Sequence, residues 1–381
     1  MAPRKSRAKA TAVRPTTVAA YLASLTPGKR AVLAKPGPLE VVMLRHTTIL
    51  LAACLAVTPR GPQDQPKPAA PVEAIGGIVD AFRTHRLVGL SEGPHGNTEG
   101  HRFRLSLIRD PRFNAIVNDI VVEFGSARYQ SVMDRFVRGE AVDDEALRHV
   151  WEDTTNVNPG WDRPIYKEFF QAVRAVNATL PPDRQLRVLL GDPPIDWGTI
   201  HTREELRAAT KAGGNYKEDV IRREVLAKNR RAILIFGDGH FQGRGEGLGL
   251  SGAFEREGVN VWAISSGGGM NRFEVPLAQP DMAEWPVPSL ATLRGTTIGL
   301  KEYGFFYEIP PVRADFWRAM KLEGQFDALL WLGPTRTFAE VPAALCANER
   351  YMAMRLSRMA IGNGQASADR FKEECASRVI R

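Results

Sequence analysis

Leu87-Val88-Gly89-Leu90, followed at once by Ser91-Glu92-Gly93-Pro94-His95-Gly96-Asn97, decides the fold. A short apolar run that turns through Gly and Pro into a capping Asn reads as a buried strand leading into a helix, here one running to Arg109. Four more runs follow the same plan. Ile116 to Val122, interrupted at Asn118-Asp119, ends in Glu123, and Leu186 to Leu190, interrupted at Arg187, leads into Gly191-Asp192. Ala232 to Phe236 leads into Gly237-Asp238-Gly239-His240, and Val261 to Ile264 into Ser265-Ser266. Val-, Ile- and Leu-rich runs separated by helical stretches are the signature of parallel strands covered on both faces. The expected fold is α/β: a three-layer arrangement with a mostly parallel central sheet flanked by helices, and C-terminal helices over 347–360 and 366–378. Further helices are expected over 72–86, 126–137, 143–151, 164–177, 202–211, 216–229 and 250–257. Residues 267–322 read as irregular, and Phe326 to Leu332 as a last strand.

Open α/β sheets bind ligands outside the carboxyl ends of their strands. If the five runs are parallel neighbours, their last residues share one rim, and residues scattered through the chain converge there. His95 is then the candidate general base, with Glu92 to orient it. Glu123 follows Ile120-Val121-Val122, where a buried carboxylate needs a partner, and it is expected to pair with His95 or Arg128. His240 is the second imidazole, with Asp238 beside it. Glu99, one helical turn after His95, is expected on the same face. Asp192 is a third pocket carboxylate, Trp161 and Trp197 are apolar walls, and Arg223 is a candidate for binding an anionic group. Two imidazoles with carboxylates also suit a divalent metal, with His95, His240 and Glu123 as its ligands.

Composition narrows the function class. The 381 residues carry a formal charge of +8. Residues 1–42 hold eight Lys/Arg against one acid, and the other 339 residues hold 43 basic and 42 acidic side chains. The excess charge is therefore a basic extension, and nucleic acid is not an expected partner. The chain contains no Gly-x-x-x-x-Gly-Lys-Ser/Thr phosphate loop and no His-Glu-x-x-His.

Met43-Leu44-Arg45-His46 and the apolar Thr47 to Val57 form a signal-peptide pattern, with Met43 the expected start and 1–42 an extension of the reading frame. Leu51-Ala52-Ala53-Cys54 within it has the pattern of a bacterial lipoprotein cleavage site, so residues 43–58 are expected to direct export and Cys54 to carry a lipid anchor to the membrane. Residues 59–71 read as a Pro-rich linker and 72–381 as one α/β domain with a C-terminal helical segment. The expected location is periplasmic or membrane-anchored, where Cys346 and Cys375 can pair as a disulfide.

The order strand, Ser-Glu-Gly-Pro-His-Gly, helix, strand, Glu123, then Arg223 before a strand and Gly-Asp-Gly-His resembles the erythromycin esterase-like family over about residues 75–335. That family belongs to a wider group with the ChaN-like haem-binding lipoproteins and TraB/TIKI-type proteins. Its members carry Gly-Glu-x-x-His-Gly after the first strand, Glu at the end of the second and His-Asn-x-His after a later one. Glu92, His95, Glu123 and His240 match in kind and place. Ser91 stands where Gly is usual, and Gly237 where the first His of His-Asn-x-His stands. The resemblance implies metal-independent hydrolysis of ester or lactone bonds in a small-molecule substrate, or, on the ChaN-like side, haem or iron binding without catalysis.

Overall fold

The computed structural model describes residues 65–242, 244, 249–267, 282–302, 320–334 and 336–379. The basic extension, the signal segment with Cys54 and the first part of the Pro-rich linker lie outside the described residues.

Eight strands form one sheet: β1 (Val72–Glu73), β2 (Leu87–Ser91), β3 (Asp119–Ser126), β4 (Arg187–Asp192), β5 (Ala232–Phe236), β6 (Val261–Ser265), β7 (Ser289–Thr292) and β8 (Ala328–Trp331). Their order is β1-β7-β8-β6-β2-β5-β3-β4. The pairs from β8 through to β4 are parallel; β7 runs antiparallel to both its neighbours. The helices are α1 (Ala74–Ala81), α2 (Thr98–Arg109), α3 (Pro111–Asn114), α4 (Gln130–Val137), α5 (Asp144–Glu152), α6 (Pro164–Asn177), α7 (Arg203–Gly213), α8 (Tyr216–Val220), α9 (Gly249–Glu255), α10 (Ala343–Cys346), α11 (Glu349–Asn363) and α12 (Gln365–Val379).

Each central strand feeds two cores. Val88, Ile120, Val122, Val188, Ile233 and Ile235 face the layer of α1, α2 and α4 to α6. Leu87, Val121, Leu189, Leu234 and Phe236 face the layer of α8 and α9. The chain steps from β2 to β3 to β4 in one direction across the sheet, then back through β5 to β6. Right-handed crossovers place those two sets of helices on opposite faces. The reversal also inserts β5 between β2 and β3, which brings the ends of all three together.

Five details differ from the sequence expectation. β3 begins at Asp119 rather than Ile116, because Ile116 and Val117 still bond back to Phe113. Asp119 is fully buried and carried by Arg187 (2.7 Å) and Arg230 (2.8 Å). β3 also continues past Glu123 to Ser126, where a helix was expected to begin. α1 starts only at Ala74, since the Glu73 carboxylate caps the amides of Ile75 and Gly76 at 3.0 and 2.7 Å. A strand, β7, stands inside the segment read as irregular, with Leu290 and Ala291 buried on opposite faces. The helix expected over 216–229 opens into a π-turn at Ile221–Leu226.

The outer strand β4 is closed by side chains. Asn177 exchanges hydrogen bonds with both backbone groups of Leu186, and Gln130 bridges the Val188 carbonyl and the Leu190 amide. These amides occupy an edge that would otherwise offer itself to another strand.

Beyond the sheet, α10, α11 and α12 build a separate small core around Tyr351, Met359 and Phe371, and the Cys346–Cys375 disulfide ties α10 to α12.

Candidate active site

β2 and β5 end in register, Ser91 opposite Phe236, and Glu92 extends the ladder by bonding to the Phe236 carbonyl at 2.8 Å. The chain then turns through Gly93 and Gly96 at φ +66° and +86°, values that favour glycine. Asn97 fastens this turn: its amide nitrogen reaches the carbonyls of Glu92 (2.8 Å) and Pro94 (2.7 Å), while its oxygen caps α2 at Gly100 (2.7 Å). The turn carries His95 back over Glu92.

Glu92 is completely buried and His95 is 29% exposed; Nδ1 of the imidazole lies 2.8 Å from Oε2 of the carboxylate. The other oxygen accepts from the Tyr166 hydroxyl (2.8 Å), which itself accepts the Gly96 amide (3.0 Å), and Arg104 stands 3.4 Å away. Burial opposes the charge of Glu92, but Arg104 and His95 together outweigh it and hold the carboxyl below its ordinary range. Burial likewise opposes protonation of His95; the bond to Glu92 and the charges of Glu92, Glu123 and Asp238 prevail and raise it to about 8. The Trp161 ring meets the imidazole edge-on at 4.4 Å.

A second pair faces the first. Glu123 accepts the Gly237 amide at 2.7 Å and lies 3.1 Å from Nε2 of His240, which is 31% exposed. Burial would raise Glu123, but His240, His95 and the Gly237 amide bring it down to about 2. Gly237 separates the two pairs closely: a Cβ there would lie 3.2 Å from Cε1 of His95 and 3.4 Å from Oε2 of Glu123. Asp238, buried behind it, accepts from the Ser91 hydroxyl. This bond ties the end of β2 to the turn after β5.

Asp192 closes the rim at the end of β4. Its carboxylate accepts the amide (2.8 Å) and hydroxyl (2.5 Å) of Thr155. Burial, aided by the charge of Glu123 and opposed by the Thr155 bonds and Lys217, raises it to about 7.

Among the described residues, Glu92, His95 and Glu123 offer ligand atoms within 4.8 Å of one another. That set differs from the expected one of His95, His240 and Glu123. It does not fit a resident divalent cation as arranged, because both oxygens of Glu92 are already engaged and the Arg104 guanidinium stands beside them.

The structure thus brings together Glu92, His95, Glu123, Asp238, His240 and Trp161, with Asp192 on the same rim. It does not bring in four others. Glu99 turns to the amide and hydroxyl of Thr337 (2.9 and 2.8 Å), since α2 begins only at Thr98. Arg128 pairs with Asp196 at the surface (3.1 Å), not with Glu123. Trp197 joins a satellite cluster with Val157 and Ile200 and bonds the Thr154 carbonyl. Arg223 pairs with Glu224 and lines a hollow of about 550 Å³ beside β4 and α4. Tyr166, Arg104, Asn97 and Arg163 were not anticipated as parts of the site. Arg104 was legible: it shares the buried stripe of α2 with Gly100, Phe103 and Leu107, and a cation in such a stripe implies a buried partner.

No family model and no curated protein matches the chain. Among solved structures, a protein from Bacillus cereus is 12% identical, covering 72% of this chain and 96% of that one with a TM-score of 0.46. A protein named for succinoglycan biosynthesis is 10% identical, with the same coverage of both chains and a TM-score of 0.47. The type III effector HopBA1 is 15% identical, covering 52% of this chain and 85% of that one, with a TM-score of 0.32.

Proposed function

We propose that this chain is an envelope-associated hydrolase of ester or lactone substrates, erythromycin esterase-like, with a His/Glu general-base site at the carboxyl edge of the sheet. The observation that carries the reading is the bonded Glu92–His95 pair set against the bonded Glu123–His240 pair across Gly237. With Nδ1 donating to Glu92, the lone pair of His95 is on Nε2, the tautomer a base needs. Water attacks the ester carbon as its proton passes to Nε2. The tetrahedral intermediate collapses, the bond to the alcohol oxygen breaks, and the imidazolium returns the proton to that oxygen. Glu92 and Glu123 balance the charge on the imidazoles, and His240 with Asp238 binds the reacting group. General-base assistance of this kind contributes on the order of 10²- to 10⁴-fold.

The Cys346–Cys375 disulfide supports an exported location, since such bonds persist in oxidising compartments. Among the described residues no helix is long and apolar enough to cross a membrane. The support for attachment through lipidation at Cys54 is the Leu51-Ala52-Ala53-Cys54 pattern, and the balanced charge outside residues 1–42 supports a small-molecule substrate rather than nucleic acid. The test is proton release by the protein, from residue 55 onward, on a panel of linear and cyclic esters. Stoichiometric acid from at least one is expected; none from any would overturn the reading.

The second reading is a ChaN-like haem or iron binder. Its support is that each imidazole is oriented by a carboxylate on one nitrogen, the arrangement that steadies a metal-ligating histidine. A Soret band on haem addition that His95→Ala abolishes would favour it.

A further inference from the structure

The connection from Asp153 to Arg163, between α5 and α6, touches the candidate site three times. Thr155 holds the carboxylate of Asp192, Trp161 lies 4.4 Å from the His95 ring, and Arg163 donates to the His95 carbonyl. Such a connection has no ladder of its own to fix it. Its acidic groups are instead gripped by the C-terminal helix α11. Asp162, between Trp161 and Arg163 in the chain, is fully buried against Arg355 (2.7 Å) and the Tyr351 hydroxyl. Arg358 reaches Asp153 (2.6 Å) and the Glu152 carbonyl (2.7 Å), while Tyr129 and His149 hold Asp153 from the other side. α11 is braced in turn by the core it shares with α10 and α12, which the disulfide closes.

We propose that Tyr351, Arg355 and Arg358 are positioning residues for the chemistry at His95, acting through Asp162 and Asp153 on the segment that carries Thr155, Trp161 and Arg163. A buried ion pair such as Asp162–Arg355 is weak evidence for stability, but together with the Tyr351 hydroxyl it fixes the Asp162 carboxylate against α11. The C-terminal hairpin is then part of the site's support. The idea rests on reading His95 as the base, but its test does not depend on turnover.

Trp161 supplies the probe, since a protonated imidazole in contact with an indole quenches its fluorescence. In the full chain, the emission is expected to change with a midpoint near the value to which His95 is raised, about 8. That step should vanish in Trp161→Phe and in His95→Ala. Tyr351→Phe removes one hydroxyl and Arg358→Gln one charge; both keep the side-chain bulk that Arg355→Ala would lose. Each is expected to reduce the amplitude by about half or move the midpoint by about half a pH unit or more, a free-energy change well within one lost hydrogen bond. Arg358→Lys should restore part of the change. Against any ester the enzyme turns over, the same variants should lower kcat more than they raise KM. An unaltered titration in both Tyr351→Phe and Arg358→Gln would overturn the proposal, as would a wild-type step that survives in Trp161→Phe. Absence of turnover with a normal response of the titration would count against the hydrolase reading alone.

Discussion

His95 and Glu92 are joined Nδ1 to Oε2 at 2.8 Å, and the carboxylate in that pair has no exposure to water. Its charge is carried by the protein alone, through Arg104 and the Tyr166 hydroxyl. An imidazole fixed in this way has one tautomer and one direction.

Glu92→Gln tests that arrangement. The amide removes the negative charge that raises His95, so the midpoint of kcat/KM against pH, expected near 8 in the wild type, should move to lower pH. Turnover at the new optimum should fall on the order of 10²-fold. Arg104, left buried without its anion, should cost about 3 kcal/mol in urea unfolding. A variant with wild-type midpoint and stability would contradict the electrostatic account.

Gly237→Ala should separate activity from folding. The backbone at Gly237 has φ −61° and ψ 155°, which any residue adopts, so stability should change by less than about 1 kcal/mol. The new methyl would press against Cε1 of His95 at 3.2 Å and Oε2 of Glu123 at 3.4 Å. A fall in turnover of about tenfold or more is expected; full activity would show that substrate does not use the gap between the two imidazoles.

Stability should carry the mark of His95. Its folded value, about 8, lies above the ordinary 6.5, so the protonated form is favoured by folding. That contribution, about 2 kcal/mol, is fully present below pH 6.5 and is lost as pH rises through about 8. Comparing urea unfolding at about pH 6 and pH 9, wild type should lose more stability than His95→Gln by roughly this amount. An equal loss in the two proteins would remove the support for a charged His95.

Arg128→Gln and Arg223→Gln are expected to be silent. Both guanidinium groups pair at the surface, with Asp196 and Glu224, and exposed pairs contribute about 0–1 kcal/mol. Turnover and unfolding midpoints should match wild type; a loss of activity in Arg128→Gln would return that residue to the site.

The strands were legible because each is a compact apolar run with chemistry at its end, and the parallel order followed from the helices between them. β1 and β7 were not, since β1 has only two residues and β7, polar at both ends, lacks the continuous apolar run that marks the equally short β8. Glu92, His95, Glu123 and His240 were legible because each follows or lies within such a run. Glu99, Arg128, Trp197 and Arg223 misled because proximity in sequence was read as proximity in space. One helical turn or one strand end was enough for another partner, such as Thr337 or Asp196, to take the side chain. Tyr166 and Arg163 reach the site from α6 and its approach, a relation between distant segments that only the packing of α6 on α2 creates.

The central claim, that the His95 imidazole performs the proton transfer, is tested most directly by steady-state hydrolysis of ester and lactone substrates by wild type and His95→Ala side by side. The account predicts that kcat/KM falls by about 10²-fold or more in the variant while its fold is retained. Equal turnover by the two proteins would contradict it.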